Sequence, residues 1–304
     1  MVSWYSWIFD IVGIVIAVIL PPYLDGIGRR IKARIQYRRG PPITQTWYDL
    51  KKLFGLPSIV PTRSPVFIWA PYLALASALA AAFMLPYGAY VPLNYSDNLI
   101  VFFYVIVMTS IFLILGGFSV QNAFSHIGST REVALLLTVE PILATVYGVF
   151  AYNSRYLNIL GISLHLIPKI SLIFAYVVLL YAIYAESGFI PFDIAEAETE
   201  VLGGPLTEYS GRLLGVFYYA LYVKRFALLW LFAAFLVLPF IRGISPISSA
   251  IALPLEFLIV IGLYSLITTI EATNARLRVD HVVKTNIKVF FIGIAILALA
   301  FFGW

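Results

Sequence analysis

The chain has 304 residues, of which 62% are hydrophobic and only 12% are charged, and its mean hydropathy is +0.94. Because a soluble domain has about a quarter of its residues charged, this composition indicates an integral membrane protein. Cysteine is absent, which excludes disulfides and thiolate-bound iron–sulfur clusters within this polypeptide. The three histidines are scattered and no glycine-rich nucleotide motif occurs, so no haem, zinc or nucleotide site is expected.

Apolar stretches of about 20 residues are long enough to cross a hydrocarbon core of about 30 Å as α-helices. They cover residues 4–24, 66–86, 98–120, 131–152, 163–185, 213–240, 247–270 and 284–303. The strands of a membrane barrel would need only about 10 alternating residues, so helices are favoured. The sequence therefore predicts an all-α integral membrane protein, with about eight transmembrane helices forming a single polytopic domain over residues 1–304.

Basic residues are distributed unequally between the loops. The loop after the first span, at about residues 25–65, contains Arg29, Arg30, Lys32, Arg34, Arg38, Arg39, Lys51, Lys52 and Arg63. Alternate loops on the same side add Arg131, Arg212, Arg276, Arg278 and Lys284, whereas the opposite loops hold Arg155 and Arg242. Because cytoplasmic loops are enriched in Lys and Arg, we expect a cell-membrane protein with both termini outside and its large polar loops in the cytoplasm.

A short amphipathic helix is predicted within this first basic loop, at residues 47–54. Trp47, Leu50 and Phe54 would share one of its faces, with the charged residues opposite. Such a helix either anchors the loop at the membrane surface or docks a partner, and both interpretations remain open.

Acidic residues are concentrated in one loop, at about residues 186–212. Its carboxylates are Asp193, Glu196, Glu198, Glu200 and Glu208. If residues 193–200 are helical, Asp193, Glu196 and Glu200 share one face, where repulsion and partial burial would raise each pKa toward neutrality. That property suits a cytoplasmic proton relay, and the turns around Pro191 and Pro205 favour a packed loop over a solvated one. Glu208 and Arg212, four residues apart, are expected to form an ion pair.

Charged residues also occur inside the apolar spans. Glu140, Lys224 and Glu256 lie near the middle of their spans, where an ionised group is costly unless it is paired or hydrated. We therefore interpret them as functional, although the sequence does not say which acid pairs with which cation. Lys169 and His165 are expected to share a helix face and reach the membrane surface.

Several motifs resemble one family of membrane proteins. In the acidic loop they are Pro191-Phe192-Asp193, Glu196-Ala197-Glu198-x-Glu200 and Thr207-Glu208-Tyr209-Ser210-Gly211. Elsewhere they are Arg34-x-Gln36-x-Arg38-x-Gly40-Pro41, Asp49-Leu50-Lys51-Lys52-Leu53, Arg131-Glu132, Glu140-Pro141 and Arg276-x-Arg278-x-Asp280. Their order, together with eight spans, resembles the membrane subunit of NADH:quinone oxidoreductase (complex I) that is called subunit 1 in mitochondria. The resemblance extends over nearly the whole chain.

Three departures from the respiratory pattern favour one branch of this family, and the first of them is a first loop shortened after Pro42. Glu186-Ser187-Gly188-Phe189-Ile190 precedes Pro191, where the respiratory enzyme typically has Glu-Thr-Asn-Arg, and Lys224-Arg225 follows a position that usually carries Glu. The chain looks more like the membrane-anchor subunit of energy-converting membrane-bound hydrogenases and their sulfur-reducing relatives. The terminal electron acceptor (protons, a sulfur compound or quinone) and the ion moved (H⁺ or Na⁺) stay open.

The resemblance implies a membrane-anchor and coupling subunit of a redox-driven ion pump, part of an oxidoreductase complex with no redox centre of its own. The expected partners are peripheral iron–sulfur and hydrogenase-like large and small subunits, other membrane subunits including antiporter-like ones, and the lipid bilayer, but no nucleic acid. Iron–sulfur clusters, and nickel–iron in the hydrogenase branch, would belong to those partners, with no cofactor or metal bound by this chain. The proton-relay and coupling residues would be Asp193, Glu196, Glu198, Glu200, Glu208, Glu140 and Glu132, to which burial adds Glu256 and Lys224. The docking or chamber residues would be Arg34, Gln36, Arg38, Arg131, Arg212, Arg276, Arg278 and Asp280.

Three alternatives remain. The chain could be the quinone-site subunit of a donor:quinone oxidoreductase, or a purely structural anchor. It could also be a stand-alone secondary ion transporter that uses Glu140, Lys224 and Glu256 as its ion site. The absence of an internal repeat argues against the transporter.

Overall fold

A computed structural model describes residues 4–92, 97–241 and 246–303. Within these ranges the chain forms eleven α-helices and a single 3₁₀ turn at Gly204–Leu206. The helices are α1 Trp4–Ile35, α2 Gln45–Gly55, α3 Pro65–Phe83, α4 Leu99–Phe118, α5 Ala123–Ser154, α6 Ile159–His165, α7 Ile170–Glu186, α8 Glu198–Val201, α9 Gly211–Ile241, α10 Pro246–Thr273 and α11 Val279–Phe301. The prediction of an all-α membrane fold is confirmed.

Seven helices in the described ranges are long and apolar enough to cross a membrane: α1, α3, α4, α5, α9, α10 and α11. Helix α7 is apolar but has only 17 residues, the lower end of the usual range for a span. It lies where the sequence predicts the fifth span. With α7 counted, the order of the long helices follows the order of the predicted spans.

The predicted fifth span, 163–185, is wrong at its start. Helix α6 ends at His165 and α7 begins at Ile170, because Pro168 lacks a backbone N–H and disfavours helical geometry at the residue before it. His165 and Lys169 therefore do not share a helix face. The His165 ring lies 4.6 Å from that of Tyr156, and Lys169 occupies the N-cap position of α7.

Helix α9 is the centre of the fold. It packs against α1, α2, α3, α6 and α10, and even its largest side chain, Trp230, is fully buried. A helix that is apolar on all sides is typical of a protein core or of a membrane span, and the burial of α9 places it in the core of this bundle. The α3 face that includes Ala70, Ala74, Ala78 and Ala81 is buried, and such small residues let neighbouring helices approach closely.

Loops from distant parts of the sequence meet at one end of the bundle, which we call the basic end. There Arg29 of α1 pairs with Asp49 of α2 at 2.7 Å, and Lys32 pairs with Glu271 of α10 at 2.6 Å. Helix α2 packs against α1 and α9, with Leu50 buried. The apolar side predicted for this helix thus faces the protein. The other end of the bundle is called the opposite end.

Candidate functional site

The acidic loop does not form the helix that would place its carboxylates on one face. Only Glu198–Val201 is helical, and turns such as Phe192 N–H to the Phe189 carbonyl (2.7 Å) replace a helix before it. Phe192, Ile194 and Ala195 are all buried, a spacing that does not fit one face of a helix. The expected row of repelling carboxylates is therefore wrong. The side chain of Glu198 lies outside the described residues.

Carboxylates of this loop instead face separate arginines. Asp193 accepts a hydrogen bond from Arg276 at 2.8 Å, and Glu200 accepts one from Arg131 at 2.6 Å. Arg131 also donates to the carbonyl of Ile194 at 3.3 Å. These contacts tie the loop to α5 and to the connection between α10 and α11. Charge attraction between elements therefore fixes the loop, where the sequence suggested repulsion within it.

The loop also touches α5 through its backbone. Gly204 has φ +55°, and a Cβ there would overlap the carbonyl oxygen of Ala195. A Cβ at Gly128 of α5 would overlap the Cα of Gly204. Both positions therefore require glycine, because the backbones meet without an intervening side chain.

An open pocket of about 310 Å³, called the outer pocket, lies at the basic end. Its charged lining residues are Arg131, Asp193, Glu200, Arg276, Arg278 and Asp280. Burial raises the pKa of Asp193, while the Arg276 guanidinium opposes that change. Three positive and three negative side chains thus surround a pocket with a protonatable carboxyl in its wall.

A smaller cavity of about 30 Å³, called the inner cavity, has Asp193 as the one lining residue that it shares with the outer pocket. Its charged lining residues are Glu132, Glu186, Asp193, Glu196, Lys224 and Arg225. This volume is enough for one or two water molecules, each of which needs about 10–15 Å³. Arg225 interacts electrostatically with Glu196, and its Nε donates to the Ser187 carbonyl at 2.8 Å. Asp193 therefore lines both the outer pocket and the inner cavity.

A buried ion pair forms one wall of the inner cavity. Lys224 of α9 lies 2.5 Å from Glu186, the last residue of α7, and both residues are almost fully buried. Lys224 also donates to Ser110 of α4 at 2.5 Å. Sequence analysis did not single out Glu186 as a site residue. The signal in the sequence is an acidic residue at the end of an apolar stretch, in a chain that also has an intramembrane lysine without an assigned partner.

Glu140 extends this polar region deeper into the bundle. It lies about two turns beyond Glu132 on α5 and interacts electrostatically with Glu186 and Lys224. Both of its carboxylate oxygens are buried and lack a hydrogen-bond partner among the described residues, as does the hydroxyl of Tyr147. The series Asp193, Glu132, Glu186 with Lys224, and Glu140 is called the carboxylate row.

Glu256 lies elsewhere, although the sequence grouped it with Glu140 and Lys224. It is fully buried in α10, and its Oε2 accepts a hydrogen bond from the Gly88 N–H at 3.0 Å. Gly88 belongs to the turn between α3 and α4 at the opposite end. The N–H of the next residue, Ala89, donates to the Ser249 hydroxyl at 3.1 Å. Glu256 therefore fixes a turn, remote from the inner cavity.

The remaining predicted residues lie around the basic end. Glu208 accepts a hydrogen bond from Asn122, and Arg212 donates to the Phe54 carbonyl at 3.4 Å. No ion pair joins Glu208 to Arg212 in the part of the chain that the structure describes, which contradicts the expectation. The reason is that α9 begins at Gly211, so the two residues are not on one helix.

The predicted docking residues of the first loop are exposed. Arg34, Gln36 and Arg38 lie at the C-terminal end of α1, and Arg38 donates to Gln36 at 2.8 Å. They are not among the residues that line the outer pocket. Arg278 and Asp280 do line it, and they form an exposed pair at 3.8 Å.

Comparison with known proteins identifies the family of this chain. The family described as NADH dehydrogenase matches residues 9–303, which is almost the whole chain. The chain belongs to this family. Its membership confirms the resemblance to the complex I membrane subunit and the interpretation of the long apolar helices as those of a membrane protein.

Relatives within the family come from several kinds of complex. Hydrogenase-4 component C of Escherichia coli is 34% identical, with 99% of this chain and 96% of that protein covered. Formate hydrogenlyase subunit 4 of the same organism is 32% identical, with coverages of 90% and 92%. A NADH-quinone oxidoreductase subunit of Thermomicrobium roseum is 30% identical, with coverages of 89% and 87%.

A solved structure has the same fold. It is a chain of the membrane-bound sulfane sulfur reductase, an archaeal respiratory membrane complex, and superposes with a TM-score of 0.85. The two chains are 22% identical, and the match covers 97% of this chain and 99% of the other. Proteins with hydrogenase, formate hydrogenlyase and sulfur reductase names are thus similar to this chain.

Proposed function

We propose that this chain is the membrane-anchor and coupling subunit of a redox-driven ion pump of the hydrogenase or sulfur-reductase type. The observation that carries the proposal is the double position of Asp193, which lines the open outer pocket and the inner cavity. A charge change in the outer pocket therefore acts on the first member of the carboxylate row. In this proposal the row relays protonation changes into the membrane arm.

The basic end is proposed to dock the peripheral arm from the cytoplasm. Arg278 and Asp280 on the rim of the outer pocket, and Arg34 and Arg38 at the end of α1, offer exposed charges of both signs. Charged rims steer and orient partners more than they add affinity. The proposed partners carry the iron–sulfur clusters, and other membrane subunits contact the apolar sides of the bundle.

Relay through the row depends on coupled charges. Glu132 interacts electrostatically with Lys224, Glu186 and Asp193, and Glu140 with the same ion pair. A change of charge at one member of such a group changes the electrostatic energy of the others. The buried Lys224–Glu186 pair is proposed to switch partners as the charge at Asp193 changes.

The test uses the intact complex in proteoliposomes, with Glu140→Gln and Glu186→Gln as the main variants. Each substitution keeps the side-chain shape but removes the titratable group. We expect redox turnover with a soluble donor to be retained and ion uptake, followed with both proton- and sodium-sensitive dyes, to fall at least tenfold. Glu256→Gln is the matched control and should pump normally. Full ion uptake in the Glu140→Gln and Glu186→Gln variants would overturn the relay.

Identification of the co-purified subunits tests the branch of the family. The chain is isolated gently from its native membrane, and its partners are identified by mass spectrometry. A nickel–iron-type large subunit or a sulfur-reducing counterpart supports the proposal, whereas NADH-oxidising, quinone-reducing partners move it to the quinone enzymes. A chain that purifies alone and transports ions by itself supports the stand-alone transporter.

A further inference from the structure

A large cavity at the opposite end is separate from the carboxylate row. It has a volume of about 930 Å³ and lies between the C-terminal ends of α5 and α11 and the start of α7. Its lining combines two cations, a buried amide and apolar side chains. None of the residues that line it belongs to the outer pocket or to the inner cavity.

Arg155 and Lys169 supply its positive charge. Arg155 follows α5 in a left-handed conformation (φ 63°), and Lys169 precedes α7. Neither side chain takes part in an ion pair among the residues that the structure describes. The loops of the opposite end contain few cations, yet these two line the same cavity. A bound anion would neutralise the charges of both Arg155 and Lys169.

Asn153 supplies a second polar feature. Its side chain is 5% exposed, and neither its amide nitrogen nor its amide oxygen has a hydrogen-bond partner among the described residues. Buried amides are normally hydrogen-bonded, and this one lines the cavity. A bound group with oxygen atoms would accept a hydrogen bond from its N–H.

Apolar side chains form the rest of the wall. The rings of Tyr152 and Phe301 lie 4.5 Å apart, and Leu297 and Ala300 of α11 continue this surface. Phe301 is 61% exposed on a helix long and apolar enough to span a membrane, so its ring is available to lipid. The cavity therefore presents charge on one side and an apolar surface along α11. A purely ionic ligand would make no favourable contact with the apolar surface.

We propose that this cavity binds one anionic phospholipid from the bilayer. The phosphate lies against Arg155, Lys169 and Asn153, because guanidinium and ammonium groups are strong phosphate ligands. The acyl chains lie along Leu297, Ala300 and Phe301. The volume is within the range of about 300–1,000 Å³ that is usual for ligand sites. The lipid joins the ends of α5 and α11 at the opposite end of the bundle.

The first test counts the phospholipid bound to the purified full-length chain by native mass spectrometry and phosphorus analysis. The double variant Arg155→Gln/Lys169→Gln is compared with wild type and with Lys51→Gln/Lys52→Gln, which removes two exposed charges at the basic end. We expect the Arg155/Lys169 variant to lose one phospholipid per chain and the control to keep it. Equal retention in all three proteins would overturn the proposal.

Asn153→Asp provides an independent arm, because it preserves the size of the side chain and adds a negative charge beside the phosphate. It should lower retention by at least tenfold, and unchanged retention would count against the site. Should the double variant fail to fold, this single variant decides the question by itself.

The second test distinguishes the possible occupants. Delipidated wild-type chain is returned to phosphatidylcholine nanodiscs with or without phosphatidylglycerol. Phosphatidylglycerol should raise the unfolding temperature of the wild type by several degrees and leave the Arg155→Gln/Lys169→Gln variant unchanged. The same rise with inorganic phosphate or glycerol 3-phosphate alone would show that free phosphate is the ligand. Loss of a membrane subunit from the variant complex, without loss of lipid, would show a protein occupant. Either result would overturn the phospholipid site.

Discussion

Glu186 and Glu256 are both buried glutamates in apolar helices, but their surroundings differ. Glu186 lies at the basic end, paired with Lys224 at 2.5 Å and beside a cavity that reaches Asp193. Glu256 accepts a hydrogen bond from one backbone N–H, that of Gly88 in the turn at the opposite end. Burial alone therefore does not identify a relay group. A charged partner and a neighbouring polar cavity distinguish one region from the other.

The largest expected effect comes from breaking the buried pair at the basic end. Lys224→Met leaves Glu186 buried without its cation, which costs about 3–5 kcal/mol of stability. Thermal unfolding of the purified chain and recovery of the assembled complex would measure the loss. The double variant Lys224→Met/Glu186→Leu should recover most of it, because no lone charge remains. A single variant as stable as wild type would show that the pair is not isolated from water.

At the opposite end the expected effect is smaller and confined to stability. Glu256→Ala leaves the Gly88 N–H buried and unpaired, at a cost of about 1–3 kcal/mol. Glu256→Gln keeps an acceptor oxygen and should lose less than about 1 kcal/mol. Unfolding temperature and ion transport are measured on the same preparations. Lost transport in a stable Glu256→Gln variant would remove the distinction between the two regions.

The pH dependence of stability tests whether Asp193, which lines both the outer pocket and the inner cavity, changes its protonation. Burial raises the native pKa of Asp193 above its unfolded value. The stabilisation that Asp193 gives the folded state is therefore complete below the unfolded pKa, and it is lost as pH rises through the native pKa. Asp193→Asn should remove this pH-dependent loss, as measured by unfolding temperature from roughly pH 4 to pH 7.

Arg276 provides the control for that measurement. Arg276→Gln removes the cation that opposes burial, so the native pKa of Asp193 should rise further and the loss should extend to higher pH. Identical pH profiles for wild type, Asp193→Asn and Arg276→Gln would contradict the assignment of Asp193 as a protonatable wall residue.

The smallest effect on stability is expected on the exposed rim. Asp280→Asn breaks a pair with Arg278 whose side chains are mostly exposed, and such pairs contribute about 0–1 kcal/mol. Unfolding temperature should barely change. Binding of the peripheral subunits to the membrane part, followed by co-purification at increasing salt, should weaken. A stability loss as large as that of Lys224→Met would mean that the rim is part of the folded core.

Much of the fold follows from the sequence because hydrophobic span length is a local property. The long helices appear in the predicted order. The main difference is at the start of α7, where Pro168 interrupts a continuous apolar stretch. The acidic loop was harder. Its conformation depends on the burial of Phe192 and Ile194 and on distant arginines, neither of which a helical repeat can reveal.

The sequence indicates which charged residues belong to the candidate site, but it does not indicate which of them pair with each other. Asp193 and Lys224 stand out in the sequence because charge in an apolar chain is conspicuous, and Glu132 is implied by the family resemblance. All three line the inner cavity. Glu186 does not stand out in the sequence, and Glu256 resembles Glu140 and Lys224 there although the structure separates it from both. Ion pairs between helices join residues far apart in sequence, here Lys224 and Glu186 or Lys32 and Glu271, so spacing carries no information about them.

The meeting of Gly128 and Gly204 has a mechanical consequence. Where two backbones touch directly, no side chain is available to rotate and absorb a displacement. The acidic loop and α5 are therefore in direct backbone contact at this point, with no flexible side chain between them. In the proposed relay, a displacement of the loop would therefore pass to α5, the helix that carries Glu132 and Glu140.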